Sequence, residues 1–303
     1  MTQAGFESFW DGLDRELADV SLNQSLNQSL DLTLEADSFY SQPEWTVYRM
    51  GYNSTDGHRL FSWLSVPVRT RGENIPALVR MPDYASVHDI IYTPLRQNAV
   101  VMNPTYRGQR NSDSHFQASY PGLLTETIDQ PERYIMRSVF GDALRAVDAL
   151  LGQSEFAPGP VALTGSGLGG ALALAAAARR SIVGAVAADT PLVLGHPAAI
   201  EGNPAYPLGE LVDYLRLHPD RSQAVATATA PLDPLKIAPG VGVPVLLSLG
   251  RRDRGQCPIA IGEELARLLP QCDLRVYDGG SEGGGHEHVQ IRNAWLRDRL
   301  GIG

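Results

Sequence analysis

The chain has 303 residues, a formal charge of −9 and 43% hydrophobic residues. That is enough chain to bury a large core, and the acidic balance excludes the basic stripe a nucleic-acid binder needs. The cysteines Cys257 and Cys272 are too few for a disulfide framework or a four-thiolate zinc site, and Lys236 is the sole lysine, which rules out a Gly-Lys-Ser/Thr phosphate loop.

The N-terminus predicts a helix first: Phe6, Phe9, Trp10, Leu13 and Leu17 fall on one face at helical period. It lacks the basic start and apolar run of a secretory signal, and the most apolar stretch, 167–178, is too short to span a bilayer. A soluble cytoplasmic protein with no membrane or nucleic-acid partner is expected. A short tandem of Ser-Leu-Asn-Gln at 21–30 reads as a surface duplication, and residues 1–40 as an N-terminal helical extension of a core spanning 41–303.

Segments 45–50 and 60–66 then flank Asp56-Gly57, a hairpin signal. Beyond them, short apolar runs at 77–79, 99–102, 161–163, 184–188, 245–249 and 274–277 alternate with helical patterns at 134–151, 168–179, 261–269 and 290–300. Buried runs separated by helices predict a single α/β domain, 1–303, with a mostly parallel sheet covered on both faces.

The sharpest local pattern is Thr164-Gly165-Ser166-Gly167-Leu168-Gly169-Gly170, a strand, a glycine turn and an alanine-rich helix. Gly165, Gly167 and Gly170 satisfy the dinucleotide fingerprint G-x-G-x-x-G, and Asp189 closes the next strand where a ribose-binding acid would stand. The same geometry serves as the nucleophile elbow of an α/β-hydrolase. Several strands precede the turn, unlike the usual first-unit position of the dinucleotide fingerprint. Downstream, Asp253 follows one strand and His286 the last, giving the hydrolase order of turn, acid and histidine.

Together with these, Phe6-Glu7-Ser8-Phe9-Trp10, Arg107-Gly108-Gln109, Tyr120-Pro121-Gly122, Ala188-Asp189-Thr190-Pro191 and Cys257-Pro258 resemble, in order and spacing, the acetyl xylan esterase and cephalosporin C deacetylase family. The resemblance implies an α/β-hydrolase fold, removal of acetyl groups from small or carbohydrate esters, no cofactor or metal, and a ring-shaped homo-oligomer, commonly a hexamer. It also implies oxyanion donors at the backbone of Tyr84 and Leu168, with a small-molecule ester or acyl compound as the ligand.

The chain departs from that pattern at the elbow, where Gly167 takes the nucleophile position and Ser166 stands one residue early. Glycine has no Oγ for a base to activate. The base is open between two registers. His286-Glu287 matches the family's His-Glu pair if a glycine-rich insertion precedes it; without the insertion, Ser281-Glu282 stands there. A catalytic set of Ser166, Asp253 and His286 is therefore the candidate for a working enzyme, and an impaired enzyme or hydrolase-fold binding protein is the expectation from Gly167. Losing a triad member leaves only ~10³–10⁴-fold catalysis over water.

The spacing of His286 and His288 is not that of a helical metal pair. His58, His88, His115, His196 and His218 read as surface residues, Arg107 and Gln109 as residues that hold a loop, and Cys257 as a small buried hydrophobe rather than a reactive thiol.

Overall fold

The computed structural model describes residues 1–19, 30–70, 74–87, 90 and 93–302. Most of the tandem at 21–30, and His88, lie outside them. Among the described residues nine strands form one sheet: β1 (Thr33–Gln42), β2 (Trp45–Asn53), β3 (Arg59–Pro67), β4 (Ile75–Arg80), β5 (Val100–Pro104), β6 (Pro158–Ser166), β7 (Val183–Asp189), β8 (Val245–Gly250) and β9 (Cys272–Tyr277). Their spatial order is β1-β2-β3-β5-β4-β6-β7-β8-β9. The first three strands and β5 pair antiparallel, and every pair from β5 to β9 is parallel. The α-helices are α1 (Gln3–Asp19), α2 (Ile135–Gly152), α3 (Leu168–Arg179), α4 (Gly209–Leu217), α5 (Ser222–Thr229), α6 (Pro234–Ile237), α7 (Ile259–Leu268) and α8 (Gly285–Arg299).

Alternation along the strands explains the two-sided packing. Ala77 and Val79 of β4 join the large core with α1, α2, α3 and α7, whereas Leu78 joins a smaller core with Ala162, Ala187, Leu246, Leu296 of α8 and Leu300 just past its end. The β2–β3 hairpin turns at Asp56 and Gly57, both at positive φ as a type I′ turn requires. Strand β1 begins at Thr33, inside the segment read as helical; its pattern is largely polar because it is an edge strand with one buried residue, Asp37.

α1 is fastened to the domain. Trp10 is buried, its indole N–H donates to the Pro231 carbonyl at 3.1 Å, and Arg179 and Arg180 at the end of α3 reach Asp11 and Asp14. Among the described residues no helix is long and apolar enough to cross a membrane.

Candidate active site

The site forms where α/β sheets place ligands, at the carboxyl ends of the parallel strands. β6 runs into α3 through Gly167, whose φ of +53° and ψ of −120° only glycine adopts without strain. The turn is tight because the strand lies on the helix start: a Cβ at Gly165 would sit 2.3 Å from the Gly169 carbonyl carbon. Gly167, not Ser166, occupies the apex. Ser166 is the last residue of β6, in register with Asp189 of β7.

The space beyond the apex is filled from within. A Cβ on Gly167 would meet Asp83 Oδ1 at 2.3 Å and Gln256 Nε2 at 2.7 Å. That same Asp83 oxygen accepts hydrogen bonds from the N–H of Tyr84 at 2.7 Å and of Leu168 at 2.9 Å. These are the two backbone donors that the family resemblance would assign to an oxyanion. Their convergence on one carboxylate oxygen means that a side chain of the protein lies where an acyl oxygen would be held. Burial pushes the Asp83 carboxyl up to about 7, against the opposing pull of the Leu168 N–H, the Gln256 amide and Arg80.

The filling continues outward. Thr190 Oγ1 lies 2.8 Å from the Ser281 carbonyl and 3.0 Å from Gln256 Oε1, and its single proton serves one of the two. The Ser281 backbone thus abuts the site, while its side chain is exposed. Asp253, 5% exposed, spends both carboxylate oxygens on its own loop: Oδ1 accepts from Gly255 and Gln256 N–H, Oδ2 from Cys257 N–H. His286 is exposed in the first turn of α8. No side-chain hydrogen bond among the described residues joins Ser166, Asp253 and His286, so the catalytic set named from the sequence is not assembled.

The histidine that does reach the site region is His288, 1% exposed. Its Nε2 lies 2.9 Å from Asp189 Oδ1, and its Nδ1 is 2.9 Å from the Tyr277 hydroxyl. Asp189 also accepts from Ser248 Oγ at 2.9 Å and pairs with Arg292. Burial raises this carboxyl, but His288, Arg292 and Ser248 outweigh it and hold the group below the usual carboxylate range. Asp189 is therefore committed to the protein interior rather than presented to a ribose, and the N–H of Leu168, where a pyrophosphate would dock, already faces Asp83.

The supporting residues behave as loop holders. Arg107 grips Asp142 through Nε at 2.9 Å and Nη2 at 2.8 Å, and Gln109 Nε2 donates to the Ser86 carbonyl at 2.8 Å, tying down the segment after Asp83. Tyr106 and Tyr120 share a hydroxyl contact at 2.9 Å beside it. Cys257 is fully buried, and burial pushes its thiol up. His58 departs from the surface role read for it: it is 6% exposed, with Nε2 at 2.9 Å from the Ser112 carbonyl. Asp83, Gln256 and His288 were not singled out as site residues from the sequence. The signals were an acid immediately before an oxyanion donor, and the i, i+4 spacing of His288, Arg292 and Leu296.

Comparison with known proteins places the chain. A family model described as acetyl xylan esterase matches residues 1–299. An acetyl xylan esterase from a Paenibacillus species superposes with a TM-score of 0.82 at 22% identity, covering 98% of this chain and 95% of that one. Acetyl xylan esterase 1 from a Thermoanaerobacterium species gives 0.79 at 20% identity, covering 100% and 99%. An esterase from Pyrococcus furiosus is more distant, at 0.55 and 12% identity over 92% and 94%. These likenesses establish the α/β-hydrolase fold.

Proposed function

Taking as premise that the chain belongs to the acetyl xylan esterase family, we propose that it is a member whose hydrolysis of acetyl esters is weak or lost, and which works as a hydrolase-fold binding or structural protein. One observation carries this reading: the Asp83 carboxyl accepts from both candidate oxyanion donors, over a glycine at the elbow apex. Acyl transfer needs a nucleophile at the apex, a base beside it and a vacant pair of donors. Gly167 supplies no nucleophile, and the donors are engaged by the protein itself. Ser166 lies on the strand before the apex, and His286 is exposed on α8.

An acyl or ester ligand of the kind the family handles reaches Tyr84 N–H and Leu168 N–H only by displacing Asp83. The carboxyl, held above the usual carboxylate range by burial, acts as the internal occupant of the cradle. A homo-oligomer, the hexamer that the resemblance implies, is part of the same proposal and is read by sedimentation.

The test is hydrolysis of p-nitrophenyl acetate by the purified chain beside Ser166→Ala and His286→Ala. The expected result is a trace rate, unchanged in both variants. Turnover typical of enzymes, on the order of 10 s⁻¹, and abolished by either substitution would overturn the proposal.

A further inference from the structure

Lys236, the sole lysine of the chain, takes no part in the elbow or the cradle. It stands half-buried on the short helix α6 and lines a cavity of about 300 Å³. That is the lower end of the size range for small-molecule sites. The rest of the wall comes from α4, α5 and the turn at 196–200. Leu211 and Leu215 stand four apart on α4, and Ser222, Val225, Ala226 and Thr229 recur at i, i+3, i+4 and i+7 on α5, so each helix turns one face to the space. None of Asp83, Gly167 and Gln256 lines it, so the cavity is separate from the filled cradle.

Two nitrogen groups interrupt the mostly apolar wall. Lys236 Nζ donates to the Ala230 carbonyl at 3.1 Å, which leaves two of the three ammonium N–H groups for a ligand. His196 also lines the cavity, and its Nδ1 is buried without a hydrogen-bond partner among the described residues. The described lining contains no Asp or Glu. Asp233 lies outside that lining, 2% exposed, and caps α6 by accepting from the Leu235 N–H at 3.0 Å. Burial raises the Asp233 carboxyl, and the Leu235 N–H, His196 and Lys236 pull against that rise, so both bases stand near one carboxyl; among the described residues neither forms an ion pair with it. An apolar cavity with a cation in its wall suits an amphipathic anion. The chain of such a ligand displaces water from leucine and valine, and its head accepts charge-assisted hydrogen bonds.

We propose that this cavity binds a carboxylate carrying a medium-length alkyl chain, its head on the Lys236 ammonium and the His196 ring and its chain along Leu211, Leu215 and Val225. The site shares no residue with the cradle at Asp83, so its presence does not depend on whether the chain hydrolyses esters.

Because Lys236 is the only lysine, its acetylation by N-hydroxysuccinimidyl acetate, separated from that of the α-amine by peptide mapping, reports on this cavity alone. Sodium octanoate should slow that acetylation saturably and bind at one equivalent by calorimetry. Sodium acetate, which has the head without the chain, and octanol, which has the chain without the charge, should each require about tenfold or more additional ligand for the same protection. Lys236→Met keeps the length and removes the charge, and should bind octanoate about tenfold or more weakly. Ala226→Trp, at an exposed position of α5 that lines the cavity, should block binding without lowering Tm in the absence of octanoate. If Lys236→Met does not fold, the tryptophan variant decides alone. No saturable protection of Lys236, octanol protecting as well as octanoate, or octanoate affinity unchanged in either folded variant overturns the proposal.

Discussion

Gly167→Ser is the substitution that would restore a nucleophile by sequence logic, and the structure predicts that it fails in a measurable way. Two costs arise. An L-residue at φ +53° and ψ −120° carries about 1–3 kcal/mol of backbone strain. The new Cβ also falls 2.3 Å from Asp83 Oδ1 and 2.7 Å from Gln256 Nε2, far inside contact distance. Both neighbours are side-chain ends, so they can swing away, but Asp83 then gives up its bonds to Tyr84 and Leu168, about 1.5–3 kcal/mol each for a charged acceptor. Water at the vacated donors recovers part of this, so a net loss of about 2–5 kcal/mol is expected from strain plus displacement. Urea unfolding of the wild type, Gly167→Ser, Asp83→Ala and the double variant forms a cycle that isolates the collision. The double variant should be more stable than the sum of the singles predicts, by about 1 kcal/mol or more. Additive effects would mean that Asp83 does not occupy the space above Gly167. In either background no esterase rate should appear, because His286 is on the exposed side of α8.

Two further outcomes follow from the buried charges. Asp83 is raised from 3.8 to about 7 by burial, so the folded state binds the extra proton between about pH 4 and pH 7, and stability falls as pH rises through that window. Asp83→Asn should flatten this slope in pH-dependent urea unfolding. It should gain on the wild type from pH 4 to pH 8 by at most about 4 kcal/mol, at about 1.4 kcal/mol per tenfold change in proton affinity; parallel profiles would contradict the assignment. Arg107→Met leaves Asp142, 1% exposed, without its guanidinium and should cost about 3–5 kcal/mol. A loss within the ~0.5 kcal/mol typical of surface changes would contradict the buried pair.

The parallel half of the fold was legible because its central strands, buried on both faces, read as apolar runs, from Leu78 through Leu249, with amphipathic or alanine-rich helices between them. β1 was not, since an edge strand with one face in solvent keeps no such run. At the site, the displaced serine was visible in the residues around Gly167. The occupant of the cradle was not, because Asp83 and Leu168 stand 85 positions apart and only the β4–β6 pairing brings them together. The base, left open between His286 and Ser281, was hard to read for a simpler reason. A glycine run before His286 looked like a loop ending in a base, whereas Gly285 already starts α8. On a helix, His286 and His288 lie about 200° apart, so when His288, Arg292 and Leu296 face the sheet, His286 turns away. Reading that segment at helical period picks out His288; the family motif pointed to His286.

The central claim, that no side chain here serves as an acyl-accepting nucleophile, is tested most directly by trapping. The purified chain is incubated with diethyl p-nitrophenyl phosphate, a reagent that phosphorylates activated serines, and its intact mass is measured before and after, with peptide mapping of 158–179. The account predicts an unmodified chain, with Ser166 intact. A stoichiometric diethylphosphoryl adduct on Ser166, lost in His286→Ala, would contradict it.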